Sequence, residues 1–360
     1  MTKKHYSPQF IKTGPAFLIA AFLVLSPALA DDYYNSGDEG GFIGDPKHYS
    51  NADGKAEVAT KAPGPGDDLF FYNSSVKGPA DRTLQVGAAS KGYHSMTFRS
   101  NAGQTQINRL TEEKSLTGTI VYIGPGGITV EAGAGPVSFG GFKQRVSIGV
   151  KSDFTVTNNS SSDLTFHREV RGYTNNTYHT ITVAGSGNTI FKEIWDNSNG
   201  RSLAMSINTS GNGVVRFDGK NTYKGPTTVV AGKLIINGNA TAADGEVEVS
   251  PAATFGGSGE LGGSVSIADN GRLEFEISTR PEEHNAMDLA DSRKLTFAGA
   301  SVLTITSPVS ASVGKYTLIN APGGISGAAP ATLNLPAGWK ASVSIEGNNL
   351  VLNLTSVGTR

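Results

Sequence analysis

Gly219-Lys-Asn-Thr-Tyr-Lys-Gly225-Pro-Thr-Thr-Val-Val-Ala-Gly232-Lys-Leu-Ile-Ile236-Asn-Gly238 decides the fold. Its apolar residues alternate with Thr and Lys, and its glycines stand between the alternating runs, so the pattern reads as short strands and turns rather than helix. Further on, Val247, Val249, Ala253 and Phe255 recur 18 positions later as Val265, Ile267, Gly271 and Leu273. A fixed internal period marks a repeat architecture. A single short strand cannot bury its apolar side alone; copies stacked in register can.

Moving outward, the same module recurs in looser form. Ile128-Thr-Val130 precedes Val137-Ser-Phe139, Val146-Ser-Ile148 precedes Phe154-Thr-Val156, and Leu164-Thr-Phe166, Ile181-Thr-Val183 and Val214 to Phe217 continue the series, with Leu295-Thr-Phe297 and Val302 to Ile305 beyond. Side chains alternate between the two faces of a strand, so the apolar set of each run points one way. The reading is all-β, a parallel β-helix in which like residues stack on like. Sparse two-residue hairpin signals and the 18-residue recurrence count against a sandwich of antiparallel hairpins. With rungs of about 18–22 residues, roughly 13–15 would follow Asp67. Asn158-Asn159 and Asn175-Asn176 are candidates for stacked amide ladders, or simply turn formers.

Composition agrees. The chain has 46 glycines, 16 prolines and 17% charged residues. With no cysteine, it has neither disulfides nor thiol chemistry. Lys3, Lys4 and Lys12, the apolar run Ala16–Leu25 and the small-x-small ending at Ala30 read as a signal peptide over 1–30. Its loss removes three lysines and leaves 27 basic against 31 acidic residues, a charge of −4. That balance argues against nucleic acid as a partner, and no later apolar run is long enough for a transmembrane helix. Residues 31–62 are poor in apolar residues and read as a flexible leader. The β-helix then spans 63–330, with entry to it over Asp67–Val86. Residues 331–360 form a cap and tail, in which Trp339–Ile345 and Leu350–Leu354 make a β-hairpin over Glu346-Gly-Asn-Asn349.

The opening stretch resembles the autotransporter-associated β-strand repeat, also called the passenger-associated transport repeat. The resemblance is carried by Gly219, Asn221, Thr222, Tyr223, Gly225, Thr228, Val229, Gly232 and Leu234, continued by Gly256, Gly257 and Gly259. One full copy covers about 219–271, and Leu116–Ile120 and Ile181–Phe191 look like degenerate members. The resemblance implies a single-stranded right-handed parallel β-helix, exported across the inner membrane and presented outside the cell. The residues after 277 leave no room for the C-terminal barrel of autotransporters. The motif residues are structural in physical terms: Gly225, Gly232 and Gly238 punctuate strands at positive φ, Asn221 and Thr222 suit a turn, and Tyr223 packs over a rung edge.

Candidates for chemistry are few. Glu246, Glu248, Glu274 and Glu276 alternate with apolar residues and read as a solvated face. Asp67-Asp68 reads as a turn cap. Glu282, Glu283, His284 and Asp288 lie in a polar loop, Arg280–Arg293, that interrupts the rungs, and these are the weak candidates for a divalent metal; as a solvated insertion, the same loop has no ligand at all. His94 and His167 read as isolated surface residues. No hydrolase, zincin or phosphate-loop motif is present, and no cofactor is implied. The sequence therefore reads as an exported, non-enzymatic β-solenoid with a structural or adhesive role at the cell surface or in an extracellular matrix. Its partners would be itself, by end-to-end or lateral assembly, or a surface or matrix polysaccharide or protein. The rival is a polysaccharide lyase or hydrolase, or a carbohydrate-binding module, on the same coil.

Overall fold

The computed structural model describes residues 31–35, 61–72, 82–86, 90–109, 119–141, 146–172, 178–195, 203–307 and 311–358. Among them, 25 strands join one sheet and six join a second. Every pairing in the larger sheet is parallel, so the chain coils, laying each strand beside its equivalent one turn earlier. The fold is all-β, with a single 3₁₀ turn at Pro281–Glu283 among the described residues. Residues 1–30, read from the sequence as a signal peptide, lie outside them.

Register makes the coil legible. Tyr33, Leu69, Met96, Ile128, Val156, Val183, Ile207, Val229, Val249, Ile267 and Phe297 stack as one column of eleven paired residues. All are buried. A second column runs Leu84, Ile107, Phe139, Phe166, Phe191, Phe217 and Ile236. Within it Phe139 and Phe166 stack at 5.2 Å and Phe166 and Phe191 at 4.9 Å. Fully burying one such side chain contributes about 1.5–3 kcal/mol. The 18-residue recurrence is true register: Val247 pairs with Val265, Val249 with Ile267 and Phe255 with Leu273. Elsewhere the period drifts. Successive members of the first column lie between 18 and 36 residues apart, so there are fewer and longer rungs than an 18–22-residue period implies. Strand positions are held constant by core packing while the turns absorb the difference.

The glycines of the motif act mainly through close approach. Only Gly232 and Gly257 among the motif glycines have positive φ, at 78° and 122°. Gly225 and Gly238 do not, contrary to expectation. A Cβ on Gly238 would strike the carbonyl oxygen of Gly219, and one on Gly259 that of Gly238; likewise Gly245 lies against Gly225, and Gly263 against Gly245. Two ladders of glycine therefore let consecutive rungs approach backbone to backbone. Tyr223 is a second correction. It does not cover a rung edge but is buried inside the coil, edge-on to Phe217 at 6.2 Å, with its hydroxyl 2.6 Å from Thr227 Oγ1. Asn221 is also wholly buried. Its Oδ1 accepts from the Ile194 amide at 3.2 Å and its Nδ2 donates to the Gly219 carbonyl at 3.0 Å.

Asn158 forms no amide ladder. It is buried, donates to the carbonyls of Ser162 and Asn188 at 3.0 and 2.7 Å, and accepts from the Ser160 amide at 3.0 Å. One side chain thus closes its own turn and ties it to the next rung. Asn175-Asn176 lie outside the described residues.

Both ends also depart from the sequence reading. Residues Asp32–Asn35 are not leader: they pair in parallel with Asp68–Phe71, and Tyr33 heads the buried column. One inward-facing aromatic in a polar stretch is enough, because the neighbouring rung supplies the rest of its pocket. The remaining leader residues, 36–60, lie outside the described set. At the other end, Thr332–Asn334 is still a parallel rung. Lys340–Glu346 and Asn349–Ser356 then form the expected hairpin, and the latter strand pairs antiparallel with Gly314–Asn320. The hairpin closes the smaller sheet, whose inner strands, 239–240, 260–261, 287–289 and 314–320, are parallel.

Candidate functional site

A 30-residue rung of the C-terminal half carries the Arg280–Arg293 loop. Ile267 and Phe297 are paired across it, and its excess over the 18-residue rung before it leaves the coil after Ile277. The loop folds back over the outer face, and between the two lies a groove of about 860 Å³. Its floor is built from outward positions of stacked strands: Arg216, Ile235 and Glu274 share a register line, with Gly256 between the last two. A Cβ at Gly256 would strike the Glu274 carbonyl oxygen, so only glycine lets these two rungs approach. Asn237, Ser258, Glu276 and Thr306 form one side, and Ser278, Glu283, His284 and Asn285 overhang from the loop.

Two charge arrangements border this floor. Lys233 reaches across two rungs to both oxygens of Glu274, at 2.7 and 2.8 Å. Arg216 donates to Asp218 at 2.9 and 3.2 Å, and Lys192 reaches the same carboxylate at 2.8 Å. Asp218 is nearly buried, so two cations offset its desolvation. On the overhang, burial holds His284 below the usual imidazole range. Its ring meets Tyr316 edge-on at 5.7 Å, while the Tyr316 hydroxyl donates to the Ser312 carbonyl at 2.8 Å. These contacts pin the loop to the coil.

The expected acidic loop does not assemble as a cluster. Asp288 lies on a strand of the smaller sheet, where it accepts from Asn320 Nδ2 at 3.1 Å. Glu282 is exposed, and only Glu283 and His284 reach the groove. Among the described residues no group of three or more His, Asp or Glu side chains stands close enough to share a metal ion. Glu246, Glu248 and Glu276 are exposed; Glu274 is half-buried in its pair with Lys233. Asp67 caps its turn, accepting from the Gly64 amide at 2.7 Å, while Asp68 receives His94 Nδ1 at 2.7 Å, so His94 is not isolated. Arg216, Asn237 and Ser258 escaped notice as groove residues. Their only signal is shared register, which cannot be read when rungs differ in length.

Over 70 residues the chain is 41% identical to the Adhesin BmaC autotransporter of Brucella suis biovar 1 (strain 1330). The match covers 19% of this chain and 2% of the adhesin, so the chain spans a very small part of the relative it resembles. No family model matches the chain. The similarity relates part of this chain to an autotransporter adhesin. Among the described residues no helix is long and apolar enough to cross a membrane.

Proposed function

We propose that this chain is an exported, non-enzymatic β-solenoid that works outside the cell as a structural or adhesive element. The observation that carries the reading is its 41% identity over 70 residues to an adhesin. The coil supports it physically: a continuous column of core residues gives a stiff scaffold, and a rigid scaffold presents surface loops at fixed spacing. On this reading the groove under the Arg280–Arg293 loop is the adhesive contact. Its lining, with Arg216 on the floor and Asn237, Ser258 and Glu276 at the side, offers both donors and acceptors, suited to a polar, uncharged or weakly charged chain such as a surface polysaccharide. Fractionation of producing cells should find the protein at the surface or in the medium. Purified protein should retain polysaccharide-coated beads, with Arg216→Ala and Asn237→Ala weakening retention by about tenfold together, corresponding to one or two lost hydrogen bonds. Retention unchanged by both substitutions would remove the groove from the proposal.

One observation favours the rival reading of a carbohydrate-active enzyme: Glu274, Glu276, Glu283 and His284 all line one groove. The ion pair to Lys233 occupies Glu274, which leaves Glu276 and Glu283 as the carboxyl groups able to act on a glycosidic bond. Uronate-containing and neutral polysaccharides incubated with the protein, with and without Ca²⁺, should give neither unsaturated products nor new reducing ends. Turnover abolished by Glu276→Gln would replace adhesion with catalysis.

A further inference from the structure

The first rung holds a buried carboxylate that faces no cation among the described residues. Asp67 is 6% exposed. Its Oδ2 accepts from the Gly64 amide at 2.7 Å, and its Oδ1 accepts from the backbone nitrogen of Asp31 at 3.3 Å. No Lys, Arg or His pairs with it among the described residues. A buried carboxylate served by two neutral amides is costly compared with one facing a positive charge. The nitrogen at 3.3 Å belongs to the residue that follows Ala30, the last position of the signal-peptide pattern.

We propose that hydrolysis of the Ala30–Asp31 bond completes this site. Water adds across the amide under a signal peptidase: the hydroxyl goes to the Ala30 carbonyl carbon, leaving a carboxylate, and the Asp31 nitrogen departs and takes up protons to become an α-ammonium. The atom that donated one neutral hydrogen bond to Asp67 then carries three donors and a full positive charge, and charge-assisted bonds of this kind are the stronger ones. The consequence reaches the coil directly. Asp31 leads into Asp32–Asn35, its carbonyl accepts from the Asp68 amide at 3.0 Å, and Tyr33 caps the long core column. Cleavage therefore fastens the first rung, so that the processed chain is more stable than any chain with residues still attached before Asp31. Asp67 is the processing-dependent anchor, distinct from the groove.

The inference rests on reading residues 1–30 as a cleaved signal, and two measurements separate the parts. The intact mass of the exported protein should place its N-terminus at Asp31; any other terminus overturns the proposal at the cleavage step. A four-chain comparison then tests the ion pair: chains beginning at Asp31 or at one additional glycine, each with and without Asp67→Asn. The added glycine should lower Tm by roughly 2 °C or more when Asp67 is present, and by nothing measurable in the Asp67→Asn background. An equal change in both backgrounds, or none in either, overturns the pairing. If Asp67→Asn prevents folding, acetylating the Asp31 amine of the unsubstituted chain keeps an N–H and removes the charge. Tm should fall by a similar amount, and an unchanged Tm overturns the proposal.

Discussion

At the residue scale, the fold depends on side chains that satisfy or avoid particular backbone groups. Asn158 bonds to Ser160, Ser162 and Asn188 from a fully buried position. Asn158→Ala should cost about 2–4 kcal/mol, since it strands two carbonyls and an amide, whereas the exposed neighbour Asn159→Ala should change stability by less than about 0.5 kcal/mol. Denaturant midpoints of the two variants check the contrast. Gly245 abuts the Gly225 carbonyl, while Gly66 has open space where a Cβ would stand. Gly245→Ala should destabilise by about 1–3 kcal/mol through forced separation of two rungs, and Gly66→Ala should be nearly neutral. Tyr223 adds a pH dependence. Burial pushes its phenol from 10.0 up to about 12. Above pH 10 the unfolded chain therefore ionises before the folded one, so stability falls as pH rises through that interval, by about 2–3 kcal/mol from this group. Tyr223→Phe should flatten the alkaline limb of the urea midpoint against pH, and an unchanged limb would refute the assignment.

At the scale of elements, the aromatic column shows what packing adds to alternation. Phe166 lies between Phe139 and Phe191, both at stacking distance. Phe166→Ala should cost about 3–5 kcal/mol, measurable by thermal or chemical unfolding, and Phe166→Leu distinctly less. Alternation along Leu164-Thr-Phe166 shows in the sequence that Phe166 faces inward. It does not show that the ring meets two others, because that depends on register with strands about 25 residues away on either side. The same reasoning explains which glycines were misassigned. A glycine needed for positive φ and one needed for close approach look alike in a single sequence. Gly232 belongs to the first kind, and Gly225 and Gly238 to the second.

At the scale of the whole molecule, the class and the stacking were legible because the 18-residue recurrence at 247–273 coincides with register. The groove was not legible, because its floor joins Arg216 to Glu274 across rungs of unequal length. Strand Asp32–Asn35 escaped because its burial depends on the neighbouring rung more than on its own composition. The C-terminal hairpin was visible as local alternation about a two-residue turn, but its second role, pairing with Gly314–Asn320, is a long-range contact. Removing residues after Pro336 should uncover the free edge of that strand, and uncovered edges recruit other chains. The truncated protein should show concentration-dependent self-association by light scattering; a monodisperse monomer would mean that the hairpin is dispensable as an edge cover.

The ladder hydrogen bonds of the coil run along its long axis, from one rung to the next. A load applied between the two ends would therefore peel rungs singly instead of shearing them together. Each event would release the contour of one rung, at about 3.3–3.6 Å per residue. The 18 residues from Val249 to Ile267 would yield about 60 Å and the 30 from Ile267 to Phe297 about 100 Å. Unequal rungs thus make the molecule a graded extensible tether, with a characteristic sequence of step lengths under tension.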